Sequence, residues 1–244
     1  MTLHWIEIGN PESEITIIFL HEGLGSIEMW KNYPIEICTQ LAVKGIIYDR
    51  QGYGKSPGSL ENRGVNYLHE SADELQKLIT FLDLKNIILY GHSDGGSIAL
   101  IHASQYPTQI IGIICEAAHV FNETKTIQGV KNVRPLFSKG KMDGLKKYHG
   151  DNYKNVFYAW NNIWINEKFK NWSIVNLLAE VRCPQLIIQG KDDEYGTIQQ
   201  VEIICEKTKG KSLILTPDNC GHTPFKEKKE LVKQKVIDFI HDII

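Results

Sequence analysis

No apolar run in this chain approaches the ~18 residues that span a bilayer. Its first residues, Met1 to Glu7, have neither a basic start nor the apolar stretch of a secretory signal. A membrane-spanning protein and an exported one are both disfavoured, and a cytoplasmic location is expected. Cysteine is sparse: Cys38, Cys115, Cys183, Cys205 and Cys220 are odd in number and form no CxxC pair. That spacing argues against a disulfide framework and against a zinc site, so the thiols are expected to be reduced. Charge of neither sign dominates, with 27 Lys and Arg against 29 Asp and Glu and a formal net charge of -2. A nucleic-acid partner is therefore not expected. Repeats and low-complexity tracts are also missing, and nothing divides the 244 residues into more than one domain.

What remains is an alternation of two periodicities. Short apolar runs read as buried strands at Thr16 to Leu20, Gly45 to Tyr48, Asn86 to Tyr90, Ile110 to Cys115, Gln185 to Gln189 and Ser212 to Leu215. Helical stretches are expected at about Trp30 to Val43, Tyr67 to Leu82, Ser93 to Gln105, Thr197 to Lys207 and Lys226 to Ile243. Strands that alternate with helices imply an α/β fold, a mostly parallel central sheet with helices on both faces.

One strand-to-helix junction carries a chemical signature, Gly91-His92-Ser93-Asp94-Gly95. In a turn this tight the serine is forced out above the sheet, and a Cβ at either flanking glycine would clash with neighbouring backbone. Ser93 is thus the candidate nucleophile. A serine hydroxyl needs an imidazole to take its proton and a carboxylate to orient that imidazole. Both types lie downstream after strands, as Asp192-Asp193 following Gln185 to Gln189 and as His222 before the last helix. His92 reads as packing. Cys220, two residues before His222, lacks the turn that exposes Ser93, and Gly52 to Ser56 is no phosphate loop because Asp49 stands where that motif needs glycine.

The serine turn and the order Ser, Asp, His resemble the α/β-hydrolase superfamily over nearly the full chain. Two further segments are similar to its motifs: Phe19 to Ser26, like its His-Gly oxyanion loop, and Asp49 to Ser56, like its Asp-x-x-Gly-x-Gly-x-Ser turn. The resemblance implies Asp193 as the acid, with Glu116 as the alternative that some relatives take from the strand after the nucleophile helix. It also implies an oxyanion hole from the backbone amides of Asp94 and Gly23, or Leu24 if the loop is shifted by one. Glu22 departs from the family, where glycine is usual. A carboxylate there would oppose a developing oxyanion unless it turns away or meets a cation; it reads as a solvated or salt-bridged loop residue, or as one that contacts substrate or braces the loop.

Residues 119–182 interrupt the alternation, where the family inserts a helical cap. This stretch has eleven Lys and Arg against five Asp and Glu, and three of the five tryptophans. Tyr153, Phe157, Trp160 and Trp164 share one helical face. The stripe is expected to glue the cap to the sheet, with Trp160 and Trp164 candidates, alongside His119, Leu24 and Glu22, to touch substrate. Two readings of the positive charge stand side by side: recognition of an anionic, partly apolar substrate, and a solvated lysine-rich surface.

The expected function is hydrolysis of a carboxylic ester or related acyl bond of a small molecule, with no metal or organic cofactor. A carbon-carbon hydrolase or lyase acting on an acidic metabolite is the alternative. A ligand receptor on the same scaffold is an alternative of another class. Oligomeric state is open.

Overall fold

The computed structural model describes residues 2–61 and 63–244. Its first half alternates: β1 (Trp5–Gly9), β2 (Thr16–Leu20), α1 (Tyr33–Leu41), β3 (Lys44–Tyr48), α2 (Tyr67–Phe81), β4 (Ile87–His92), α3 (Asp94–Gln105) and β5 (Ile110–Glu116). Three helices then follow without a strand, α4 (Thr124–Ser138), α5 (Lys146–His149) and α6 (Tyr153–Trp164). The alternation resumes with β6 (Gln185–Ile188), α7 (Gln199–Lys207), β7 (Ser212–Leu215), α8 (Pro224–Glu227) and α9 (Lys229–Ile243).

The strands form one seven-stranded sheet in the order β1-β3-β2-β4-β5-β6-β7. β1 runs antiparallel to β3, and every other neighbouring pair is parallel. Buried on both faces, the central strands are unbroken apolar runs whose alternate residues serve opposite cores. In β2, Ile18 and Leu20 join the core against α2, α3 and α7, whereas Ile17 and Phe19 join the core against α1 and α9. Burying each such side chain stabilises the fold by about 1.5–3 kcal/mol. The chain moves outward from β2 to β3 and then returns to β4 on the other side, so the carboxyl ends of β2 and β4 flank the switch in strand order, where open α/β sheets leave a crevice.

The expected strands all form, with ends shifted by one or two residues, and β1 is an addition. It escapes the sequence pattern because it is a five-residue edge strand, only half-buried, that pairs antiparallel at the margin. Two helical stretches differ by more than their end residues. The expected helix from Trp30 begins at Tyr33, after a separate 3-10 turn at Ile27–Trp30 and with a proline in its first turn. The C-terminal stretch breaks between α8 and α9 at Lys228. The helix expected from Ser93 to Gln105 forms as α3 and is buried on all sides from Asp94 to Ala103.

Candidate active site

Ser93 sits between β4 and α3 with φ 54° and ψ -116°, a conformation that costs a non-glycine residue of order 1–3 kcal/mol. The neighbouring structure holds it there. The Ser93 N–H donates to the Glu116 carbonyl at 2.8 Å, and its own carbonyl accepts from the N–H groups of Gly96 at 2.9 Å and Ser97 at 3.1 Å. A Cβ at Gly95 would collide with the carbonyl oxygen of Leu20, and one at Gly91 with that of Gly95, so backbone and not flexible side chains enforces both glycines.

Three loops at the same edge of the sheet bring the partners together. The Ser93 hydroxyl lies 2.9 Å from His222 Nε2, and His222 Nδ1 lies 2.9 Å from both carboxylate oxygens of Asp193. A carboxylate can only accept, so Nδ1–H donates to it and Nε2 is left free to accept from the serine hydroxyl. Asp193 is almost fully buried and takes three further donors, the N–H groups of Tyr195 at 2.8 Å and Gly196 at 3.2 Å and the Gln189 amide at 2.8 Å. Burial alone would raise this carboxyl. The charge and hydrogen bond of His222, together with the Tyr195 N–H, outweigh burial and bring it down to about 2. Asp192 is exposed, and its N–H donates to the Cys220 carbonyl.

Glu116, the alternative acid, takes no part in this series. It is buried at the end of β5, where it accepts from the Tyr90 hydroxyl at 2.8 Å and from the Phe225 N–H. Asp94 is the first residue of α3, so its N–H belongs to the helix-terminal amides that lack an intrahelical acceptor. Its side chain turns into the protein, accepting from the Tyr67 hydroxyl at 3.1 Å and lying 3.5 Å from the Arg50 guanidinium.

Ser93 and His222 open into a cleft of about 270 Å³. The candidates Glu22, Gly23, Leu24, His119, Trp160 and Trp164 all line it. Trp160 packs so closely on Gly23 that a Cβ there would meet the indole ring. His119 packs tilted against Trp164, with ring centroids 5.2 Å apart, and stands 6.0 Å from the His222 ring. Burial, together with the nearby His222, lowers its pKa to about 4, so the ring is neutral around pH 7. Residues 119–182 also contribute Val130, Val133, Met142 and Leu145, whereas none of that stretch's eleven cations reaches the cleft. The charge excess thus lies away from the site, and among the described lining residues Lys226 is the one Lys or Arg. A larger groove of about 590 Å³, with walls of both charges including Arg63, Glu70, Glu74 and Lys77, contains none of Ser93, Asp193 and His222.

Sequence reasoning missed three contributors. Gln189 orients Asp193 from the end of β6, and Arg50 joins the Asp94 carboxylate to the Glu22 carbonyl, to which it donates at 2.8 Å. His92, read as packing, instead has Nε2 2.8 Å from the His222 carbonyl and Nδ1 3.8 Å from the Glu22 carboxylate. Only a position next to Ser93 hinted at the last. Among the described residues, no group of three His, Cys, Asp or Glu is placed to hold a metal ion, and no helix is long and apolar enough to cross a membrane.

The model of a family described as serine aminopeptidase, S33, matches residues 12–153, more than half of the chain. Serine hydrolase BPHL from Homo sapiens is 26% identical over 225 residues, which span 88% of this chain and 75% of that protein. A proline iminopeptidase from Saccharolobus solfataricus is 22% identical over 276 residues, spanning 95% of this chain and 86% of its own. Among solved structures, an esterase from Exiguobacterium antarcticum superimposes with a TM-score of 0.76 at 19% identity, covering 98% of this chain and 95% of the other, a likeness of fold.

Proposed function

We propose, since the chain belongs to the serine aminopeptidase S33 family and is an α/β-fold serine hydrolase, that it cleaves a carboxylic ester of a small, largely apolar acyl group. The observation that carries the reading is the unbroken series of 2.9 Å contacts from Ser93 through His222 to Asp193. In this reading Ser93 Oγ attacks the ester carbonyl while His222 Nε2 takes its proton, and Asp193 stabilises the imidazolium that results. The same imidazolium then protonates the departing alcohol. Water, deprotonated by His222, hydrolyses the acyl-enzyme and returns Ser93. The amides of Gly23 and Asp94 would meet the negative charge on the carbonyl oxygen, fixed dipoles that need not reorganise as water must.

Residues 119–182 act as a cap in this reading. Their contribution to the cleft wall is mainly apolar, through Val130, Val133, Met142, Leu145 and the two tryptophans, which favours a hydrocarbon acyl chain over an anion-bearing acid. That lining also supports an ester hydrolase over a carbon-carbon hydrolase or lyase of an acidic metabolite. Relatives named as a serine hydrolase and a proline iminopeptidase support acyl transfer to water and leave ester and amide substrates both in view.

The test is intact mass after exposure to a fluorophosphonate, followed by turnover of p-nitrophenyl esters from acetate to decanoate. One adduct per chain, absent in Ser93→Ala, together with multiple turnovers is the expected result. Labelling that persists in Ser93→Ala would remove Ser93 as nucleophile, and stoichiometric release without cycling would mark a receptor.

A further inference from the structure

Glu22 and His92 are ionisable groups at the edge of the site that the reaction above leaves unused. Glu22 belongs to the loop after β2, next to Gly23, and its side chain is 19% exposed. His92 ends β4, one residue before Ser93, and its ring is buried between His222 at 5.3 Å and Phe225 at 5.4 Å. Its Nε2 lies 2.8 Å from the His222 carbonyl oxygen, which can only accept, so Nε2 carries a hydrogen. Its Nδ1 lies 3.8 Å from Glu22 Oε2 and has no hydrogen-bond partner. In a neutral ring that nitrogen would turn a lone pair toward a carboxylate. A second proton replaces repulsion with attraction.

We propose that Glu22 and His92 form a carboxylate–imidazolium pair that positions His222 against Ser93 and cancels the Glu22 charge beside the Gly23 amide. The proposal rests on the reading of Ser93 and His222 as the reacting pair. One ion pair and one hydrogen bond thereby link three segments, the loop bearing Gly23, the turn of Ser93 and the loop bearing His222. A glycine at position 22 could not do this, so the departure from the family pattern has a physical use. Burial opposes charge on both groups, yet each partner's charge overrides it. The Glu22 carboxyl lies far below its usual range, helped by Lys226 and His21, and His92 is raised by Glu22 first and by the buried Glu116 second.

Both are positioning residues, so the test needs readouts that mere structural damage would not move. The full chain and its Glu22→Gln, Glu22→Asp and His92→Asn variants are compared by fluorophosphonate labelling rate, by kcat and KM on p-nitrophenyl butyrate across about pH 5 to 9, and by 15N-histidine NMR. In wild type the His92 ring should carry two protons at pH 7, and in Glu22→Gln one, because burial without its counter-charge lowers the imidazole. Glu22→Gln should still label with one adduct per chain, but its labelling rate and kcat should fall about 10-fold. Glu22→Asp should recover part of that loss. Activity depends on the charged ring, so wild-type kcat should decline as pH rises through the raised His92 pKa, and Glu22→Gln, already neutral there, should lack that decline.

A singly protonated His92 in wild type at pH 7 would overturn the pairing, even were no variant to fold. So would wild-type labelling at Ser93 accompanied by an unchanged rate and pH profile in Glu22→Gln or His92→Asn. Labelling that survives Ser93→Ala is a separate failure, which would remove the reacting pair on which the proposal rests.

Discussion

Gln189→Leu is expected to weaken both stability and turnover by loosening one carboxylate. Asp193 is held at about 2 against an ordinary 3.8, a preference for the ionised form of roughly 2 kcal/mol at 1.36 kcal/mol per pH unit. That preference is what remains after the charge and hydrogen bond of His222 and the Tyr195 N–H have overcome the cost of burial; the same carboxylate also accepts from the Gly196 N–H and, last, from the Gln189 amide at 2.8 Å. Leucine removes the last donor and adds no cavity of consequence. Oδ2 still accepts from His222, so no buried acceptor is orphaned and the loss is one charge-assisted hydrogen bond, about 1.5 kcal/mol. The Asp193 carboxyl should therefore rise by about one pH unit. Because its folded value is depressed, the stability it contributes is present above 3.8 and is lost as pH falls toward about 2. Urea unfolding should accordingly find the variant about 1.5 kcal/mol less stable at pH 7, with the gap closing at the acid end. Turnover of p-nitrophenyl butyrate should fall about 5- to 10-fold through a less firmly held His222. KM should hardly move, since Gln189 does not line the cleft. An unchanged kcat with an unchanged unfolding midpoint, or a stability gap that widens in acid, would refute the reasoning.

Asp193→Asn should lower kcat/KM by about 10⁴, because an amide no longer demands the tautomer that leaves Nε2 free; Glu116→Gln should stay within about threefold, and the opposite ranking would make Glu116 the acid. Gly95→Ala drives a Cβ into the Leu20 carbonyl, backbone that cannot yield cheaply, and should cost about 3 kcal/mol in urea unfolding together with most fluorophosphonate labelling. A folded, fully labelled variant would count against the tight turn. Trp160→Leu relieves the indole packed on Gly23 and enlarges the cleft of about 270 Å³. The best acyl length in a series of p-nitrophenyl esters should then lengthen by about two carbons, at ~0.8 kcal/mol per CH₂ buried; an unmoved optimum would place the acyl chain elsewhere.

Residues whose neighbours in space are also neighbours in sequence were legible without coordinates. Ile17 to Leu20 and Ile87 to Tyr90 are buried on both faces, so they appear as unbroken apolar runs, and the Ser93 turn writes its steric demand into Gly91 and Gly95. Where that local coupling weakens, legibility fades. β1 is half-buried at an edge and so lacks the expected periodicity. His92 could be read only as packing, because its two partners lie 70 and 130 positions away.

The sequence by itself determined a mostly parallel α/β sheet, a serine forced out of a strand-to-helix turn, and a carboxylate and an imidazole following later strands in the order Asp, His. Those features follow from burial and backbone sterics acting over a few residues. The tertiary structure decided that Asp193 and not Glu116 meets His222, that Gln189 braces that carboxylate, that Glu22 faces His92, and that the basic stretch turns an apolar wall to the cleft. Such pairings depend on which loops the strand order brings to one edge of the sheet, and hydrogen-bond geometry over separations of 4 to 130 residues leaves no periodic trace in the chain.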